Sequence, residues 1–148
     1  MGAEGKRGVR LTAKSYLNSI RYLDSEITAK QTELEHLKKD AESLRGITYN
    51  SDKVQGGGTN DPMQIVDKIV DLQNVINEEI DKLVDLKEEA RRRIARVYHP
   101  KFISLLTDLY INCFTLEQVA ERENVTYTTI CRWHGGALEI FKNENGML

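Results

Sequence analysis

The sequence predicts an all-α protein: a long antiparallel helical hairpin of coiled-coil character, followed by a small three-helix helix-turn-helix domain. Three observations carry that expectation. Apolar residues recur at alternating spacings of four and three over two long stretches. The only prolines, Pro62 and Pro100, fall outside the interiors of both stretches. Finally, the segment Thr115–Leu138, TLEQVAERENVTYTTICRWHGGAL, divides into two short helical faces around a polar corner.

Residues 1–11 read as a disordered N-terminal tail, and residues 12–98 as the hairpin. Thr12 is a natural N-cap. From there the apolar positions run Tyr16, Ile20, Leu23, Ile27, then Lys30, then Leu34, Leu37, Ala41 and Leu44. Arg45-Gly46 supplies the expected stop. The second helix is expected from Asp61-Pro62, a capping residue followed by proline at the first helical position. Its stripe is Ile65, Ile69, Leu72, Ile76, Ile80, Leu83, Ala90, Ile94 and Val97, and it ends before Pro100. The intervening loop, residues 46–60, is polar and Gly-rich. Neither stripe can be shielded by its own helix, so the two are expected to pack on each other. The same pattern also suits a parallel dimer, a homo-oligomer through the long helices, in which Lys30 at a seam position sets register or oligomeric state.

Residues 99–148 form the expected helix-turn-helix domain. Pro100–Cys113 begins it, with Phe102, Leu105, Leu106, Leu109 and Tyr110 on one face. The next helix spans Leu116–Arg122, with Val119 and Ala120 inward. The corner Glu123-Asn124-Val125-Thr126 has the required chemistry. Asn124 tolerates a left-handed backbone, Val125 plugs the angle, and Thr126 caps the last helix, Tyr127–Phe141. That last helix presents Ile130, Trp133, Ala137 and Leu138 to the core. Position 123, usually apolar in such units, is Glu123 here.

Such a unit points to double-stranded DNA, because its second helix can enter a major groove. The candidate contacts there are Thr126, Tyr127, Thr128, Thr129, Arg132 and His134; hydroxyls and one arginine reach bases and phosphates. Arg91, Arg92, Arg93 and Arg96 form a basic entry to the domain and are candidate phosphate contacts. They equally suit a helix C-terminus, whose dipole favours cations. The balance elsewhere is acidic: the chain carries a net charge of -2, residues 61–90 hold nine acids against three bases, and residues 104–148 six against three. DNA affinity of the chain alone is therefore expected to be weak.

No catalytic or cofactor signature is present: no GxGxxG, P-loop, nucleophile elbow or HExxH. Gly56-Gly57-Gly58 lacks the lysine and strand of a phosphate loop. Cys113 and Cys131 read as small buried thiols. Cys131-x-x-His134 has no matching second pair, so no metal and no cofactor is expected. The chain is expected not to be an enzyme. No apolar run approaches the ~20 residues of a membrane span, and no signal-peptide core follows Met1. The reading is a cytoplasmic protein with no membrane partner.

Several stretches together resemble a family of small phage and prophage proteins. These are YLNSIRYLDSEITAKQTEL at Tyr16–Leu34, the SDKVQ-Gly-rich-DPM segment at Ser51–Met63, the helix at Ile69–Lys87, and the Tyr-x-x-apolar-x-Arg-apolar-His-Gly-x-Ala-Leu motif at Tyr127–Leu138. The C-terminal part of that family is similar to sigma factor region four. The resemblance, spanning about Lys14 to Phe141, implies a phage-encoded transcriptional regulator in a bacterial host cell, acting on promoter DNA with host RNA polymerase. Two departures bear on DNA contact: Gly136 stands where relatives often carry a basic residue, and Glu123 stands in the turn. Two other functions fit the same organisation. One is a protein-interaction module that binds a host factor without DNA; the other is a DNA-packaging protein resembling small terminase subunits.

Overall fold

A computed structural model describes residues 11–48 and 62–148. All regular structure among them is helical: α1 (Ala13–Thr48), α2 (Pro62–Ala95), α3 (Pro100–Leu106) running into a π-helical turn (Thr107–Ile111), α4 (Leu116–Glu123) and α5 (Tyr127–Glu144). The expected tail up to residue 10, the Gly-rich loop from residue 49 and the cap at Asp61 lie outside the described residues. Among the described residues, no helix is long and apolar enough to cross a membrane.

The helix starts follow the expected chemistry. The Ser15 N–H donates to Thr12 Oγ1 at 3.0 Å, making Thr12 the N-cap of α1. Pro62 opens α2 and Pro100 opens α3, each where a missing N–H does no harm. One helix end differs from expectation, and the other falls before Pro100 as expected. α1 does not stop at Arg45-Gly46 but continues through Gly46 to Thr48. A glycine with helical dihedrals weakens a helix by only about 1 kcal/mol; it ends one when the chain turns left-handed there. α2 ends at Ala95, and a tighter turn follows, Val97 N–H donating to Ile94 O at 3.0 Å. Tyr98 at φ 54° then reverses the chain before Pro100.

The described chain divides into two compact units, each taking one end of α1 and one end of α2. The first holds residues 23–48 and 62–83. Here α1 and α2 run antiparallel: Lys30 pairs with Glu79, Leu37 and Leu72 share one groove, and Leu44 and Ile65 share another. Ile27, Ile76 and Leu83 are buried, while Leu23, Leu34, Leu37, Ala41, Ile65, Ile69, Leu72 and Ile80 are half-buried. The seam is the expected one, with Lys30 answered by a carboxylate of the facing helix.

The other unit holds residues 11–22 and 84–148, so the helix-turn-helix segment folds together with the first turns of α1 and the last turns of α2. Its core takes Leu17 and Ile20 from α1, Ala90 and Ile94 from α2, Leu106 and Leu109 from the third element, Val119 from α4, and Ile130, Ala137 and Phe141 from α5. Tyr16 stacks on Phe141, with ring centroids 6.2 Å apart, and the Arg93 guanidinium lies over the Tyr16 ring. Arg21 ties α1 to the π turn and the corner after it: its Nη1 donates to Leu109 O at 2.7 Å and Phe114 O at 2.8 Å.

Candidate nucleic-acid interface

The corner between α4 and α5 is a Schellman turn. Asn124 sits at φ 55°, ψ 44°, its N–H donating to Glu121 O, while the Val125 N–H donates to Ala120 O at 3.0 Å. A capping box opens α4: the Gln118 N–H donates to Thr115 Oγ1, and the Thr115 N–H donates to Gln118 Oε1. At the start of α5 the Thr129 N–H donates to Thr126 Oγ1 at 3.2 Å. With both ends capped and the left-handed residue in place, α5 leaves α4 at a fixed angle, with its first turns exposed.

Helical geometry then sorts the α5 side chains. Ile130, Ala137 and Phe141 point inward. On the opposite face lie Thr128, Arg132, Gly135 and Glu139, all exposed. Among the described residues a Cβ placed on Gly135 meets nothing within 4 Å, so this face is bare next to Arg132. Tyr127 is 51% exposed, and its phenol is raised above its ordinary pKa, first by a hydrogen bond with Cys131. Thr129 is half-buried and sits in the cap, its hydroxyl 2.8 Å from that of Thr126.

The other expected residues lie elsewhere. His134 is turned to the flank of α5, its Nε2 2.7 Å from the Tyr110 hydroxyl. Burial lowers its pKa, and the nearby Lys14 and Arg21 lower it further. Arg93 is occupied by Tyr16 and by Glu89 at 2.6 Å. Arg96 Nη1 donates to Asn145 Oδ1 at 3.3 Å, and Asn145 Nδ2 donates to Arg93 O at 3.1 Å. The arginine cluster therefore adjoins the C-terminal end of α5, roughly 20 Å along the helix axis from Arg132. Arg91 and Arg92 are exposed on the last turns of α2.

Trp133, expected in the core, is half-buried. The Lys101 ammonium stands 3.1 Å from its ring centroid. A pocket of about 160 Å³ opens beside it, lined by Leu105, Val119, Glu123 and Ile130 among others. Glu123 stands at the mouth of the angle, where an apolar side chain would fill it, and the gap is left to Trp133 and the Lys101 stem.

Sequence reading missed the cations that α1 supplies. Lys14, Asn18 and Arg21 line an open cleft of about 410 Å³ together with Tyr110, Tyr127 and His134. Once α1 and α2 are included, the unit's described residues hold eleven bases against nine acids, and its sign turns positive. No periodicity could have revealed this, because Lys14 and Tyr127 are brought together only by the tertiary fold. Among the described residues no cluster of three His, Cys, Asp or Glu side chains suits a metal ion.

The family model described as "Protein of unknown function (DUF1492)" matches residues 43–141, and the chain belongs to that family. No curated protein and no solved structure gave a match.

Proposed function

We propose that this member of the DUF1492 family is a DNA-binding transcriptional regulator that reads duplex DNA through α5. The observation that carries the reading is the bare outer face of α5, Thr128 and Arg132 beside Gly135, held out by the Schellman corner at Asn124. A face of this kind fits a major groove, with a hydroxyl and a guanidinium available to base edges. The resemblance to sigma region-four-like phage proteins supports the finer role: a phage-encoded protein of the bacterial cytoplasm that acts at promoters together with host RNA polymerase. Low phosphate-binding capacity in α4 and α5 suits a protein recruited by a partner. His134, Arg93 and Arg96 are engaged within the fold and take no part in the proposed base contacts.

The test is selection of fragmented phage and host DNA on the full chain, followed by affinity measurement on the recovered duplexes. Arg132→Ala is expected to weaken binding by about 1–3 kcal/mol and to leave the unfolding midpoint unchanged. Recovery of no sequence above background would end this reading.

A second reading has its own observation. The described residues of the hairpin unit carry eleven acids against six bases, and Met63, Val66 and Val70 are exposed at helical spacing on α2. That surface suits a basic protein partner, and a complex unaffected by Arg132→Ala would favour it.

A further inference from the structure

The cleft on the flank of α5 has the composition of an anion site. Lys14, Asn18 and Arg21 come from α1, Thr115, Leu116 and Glu117 from the start of α4, and Tyr127 and His134 from α5. Arg21 is held in place by two carbonyls, so its charge is fixed beside the cleft at little further entropic cost. Lys14 is exposed on a flexible stem. The first intrahelical bond of α4 is Val119 N–H to Thr115 O, so the preceding N–H groups of Leu116 and Glu117 lie in the turn where the helix offers no acceptor. Against these donors the lining includes one carboxylate, Glu117. Burial first, and then these two cations, disfavour protonation of His134.

Position matters as much as charge. Tyr127 and Thr128 are neighbours on the first turn of α5, so the cleft and the outer face meet along one edge of the helix. A duplex engaged by Thr128 and Arg132 brings one of its backbones along that edge.

Resting on the DNA-binding reading, we propose that the cleft between α1, α4 and α5 holds a backbone phosphodiester of the bound duplex, with Lys14 as its closing cation and Arg21 as its fixed one. α1 then belongs to the DNA interface and adds its cations to the few that α4 and α5 carry. Asn18 is the neutral side-chain donor of the same site.

The experiment is fluorescence anisotropy of the full chain on a duplex at a series of salt concentrations, for wild type, Lys14→Gln, Lys14→Arg and Arg132→Ala. Lys14→Gln is expected to weaken binding equally on specific and unrelated duplexes and to reduce the slope of log K against log salt by about one. Lys14→Arg keeps the slope, and unfolding midpoints stay at the wild-type value. If Lys14→Gln keeps wild-type affinity and slope while Arg132→Ala weakens binding, the phosphate site is overturned and the reading of α5 survives. If wild type binds no duplex, both fall together.

Discussion

The Tyr110 hydroxyl lies 2.7 Å from His134 Nε2, joining the π-helical turn to the middle of α5. Burial sets the protonation of both groups. It pushes the Tyr110 phenol up to about 12, and it lowers His134, with Lys14 and Arg21 adding to the effect. A histidine whose folded pKa is depressed takes up its proton more readily in the unfolded chain. Stability is then unaffected above the unfolded value of about 6.5 and falls as pH drops from there toward the folded pKa. His134→Gln is expected to flatten that fall between neutral and mildly acid pH, read as the difference in urea midpoint between variant and wild type. Parallel pH profiles for the two proteins would show that His134 does not titrate on unfolding.

Asn124 occupies the left-handed region at the corner before α5. Replacing it with alanine is expected to destabilise the unit by about 1 kcal/mol, because a Cβ without a compensating polar group is strained there. Asn124→Gly keeps the conformation at no steric cost and should hold the wild-type midpoint. Equal midpoints for the alanine and glycine variants would show that the corner tolerates a different path.

Much of this architecture is legible in the sequence, for a physical reason. The seam from Leu23 to Leu44 is a local periodicity, and every one of its positions is buried or half-buried. Caps and corners are equally local, which is why Thr12, Asn124 and Thr126 can be read directly. Other features depend on tertiary contacts. The π turn at Thr107–Ile111 and the left-handed residues Tyr98 and Cys113 leave no mark on the hydrophobic pattern. The cleft joining Lys14 to Tyr127 is invisible for the same reason. Trp133 misleads because size suggests an anchor, whereas Phe141, with no exposed surface, fills that place.

That exchange has a measurable consequence. Phe141→Ala removes a side chain packed against Tyr16 and is expected to cost about 3–5 kcal/mol. Trp133→Ala opens an existing pocket further and loses the Lys101 contact, at about 2 kcal/mol. A thermal or denaturant series in which Trp133→Ala is the worse of the two would return the tryptophan to the core.

Asp108 is buried, and its carboxylate is held by Arg122 of α4 and by Asn112 Nδ2 at 3.2 Å. Arg122 itself is about half exposed, so its loss admits some water. Arg122→Ala is expected to destabilise by about 1–3 kcal/mol, because a buried acceptor loses its charged partner. Asp108→Asn combined with Arg122→Ala should recover part of that loss. A double-mutant cycle with no coupling would mean that the pair adds nothing to the packing of α4.

Lys30 and Glu79 are the polar pair in the seam of the hairpin unit, and Glu79 Oε2 is buried with no hydrogen-bond partner among the described residues. Such a pair adds little net stability but penalises arrangements that separate it. Lys30→Met leaves a half-buried carboxylate facing an apolar seam and is expected to destabilise by about 1–2 kcal/mol. Lys30→Met with Glu79→Met removes both charges and should match or exceed wild type in urea unfolding. Freed of the pairing constraint, that double variant is also expected to form additional oligomers in sedimentation, since an all-apolar seam no longer favours α1 against α2 over α1 against another α1. If the double variant remains as uniform as wild type, register is set by the apolar residues alone. The Lys30–Glu79 pair is then a tolerated polar contact with no part in choosing the fold.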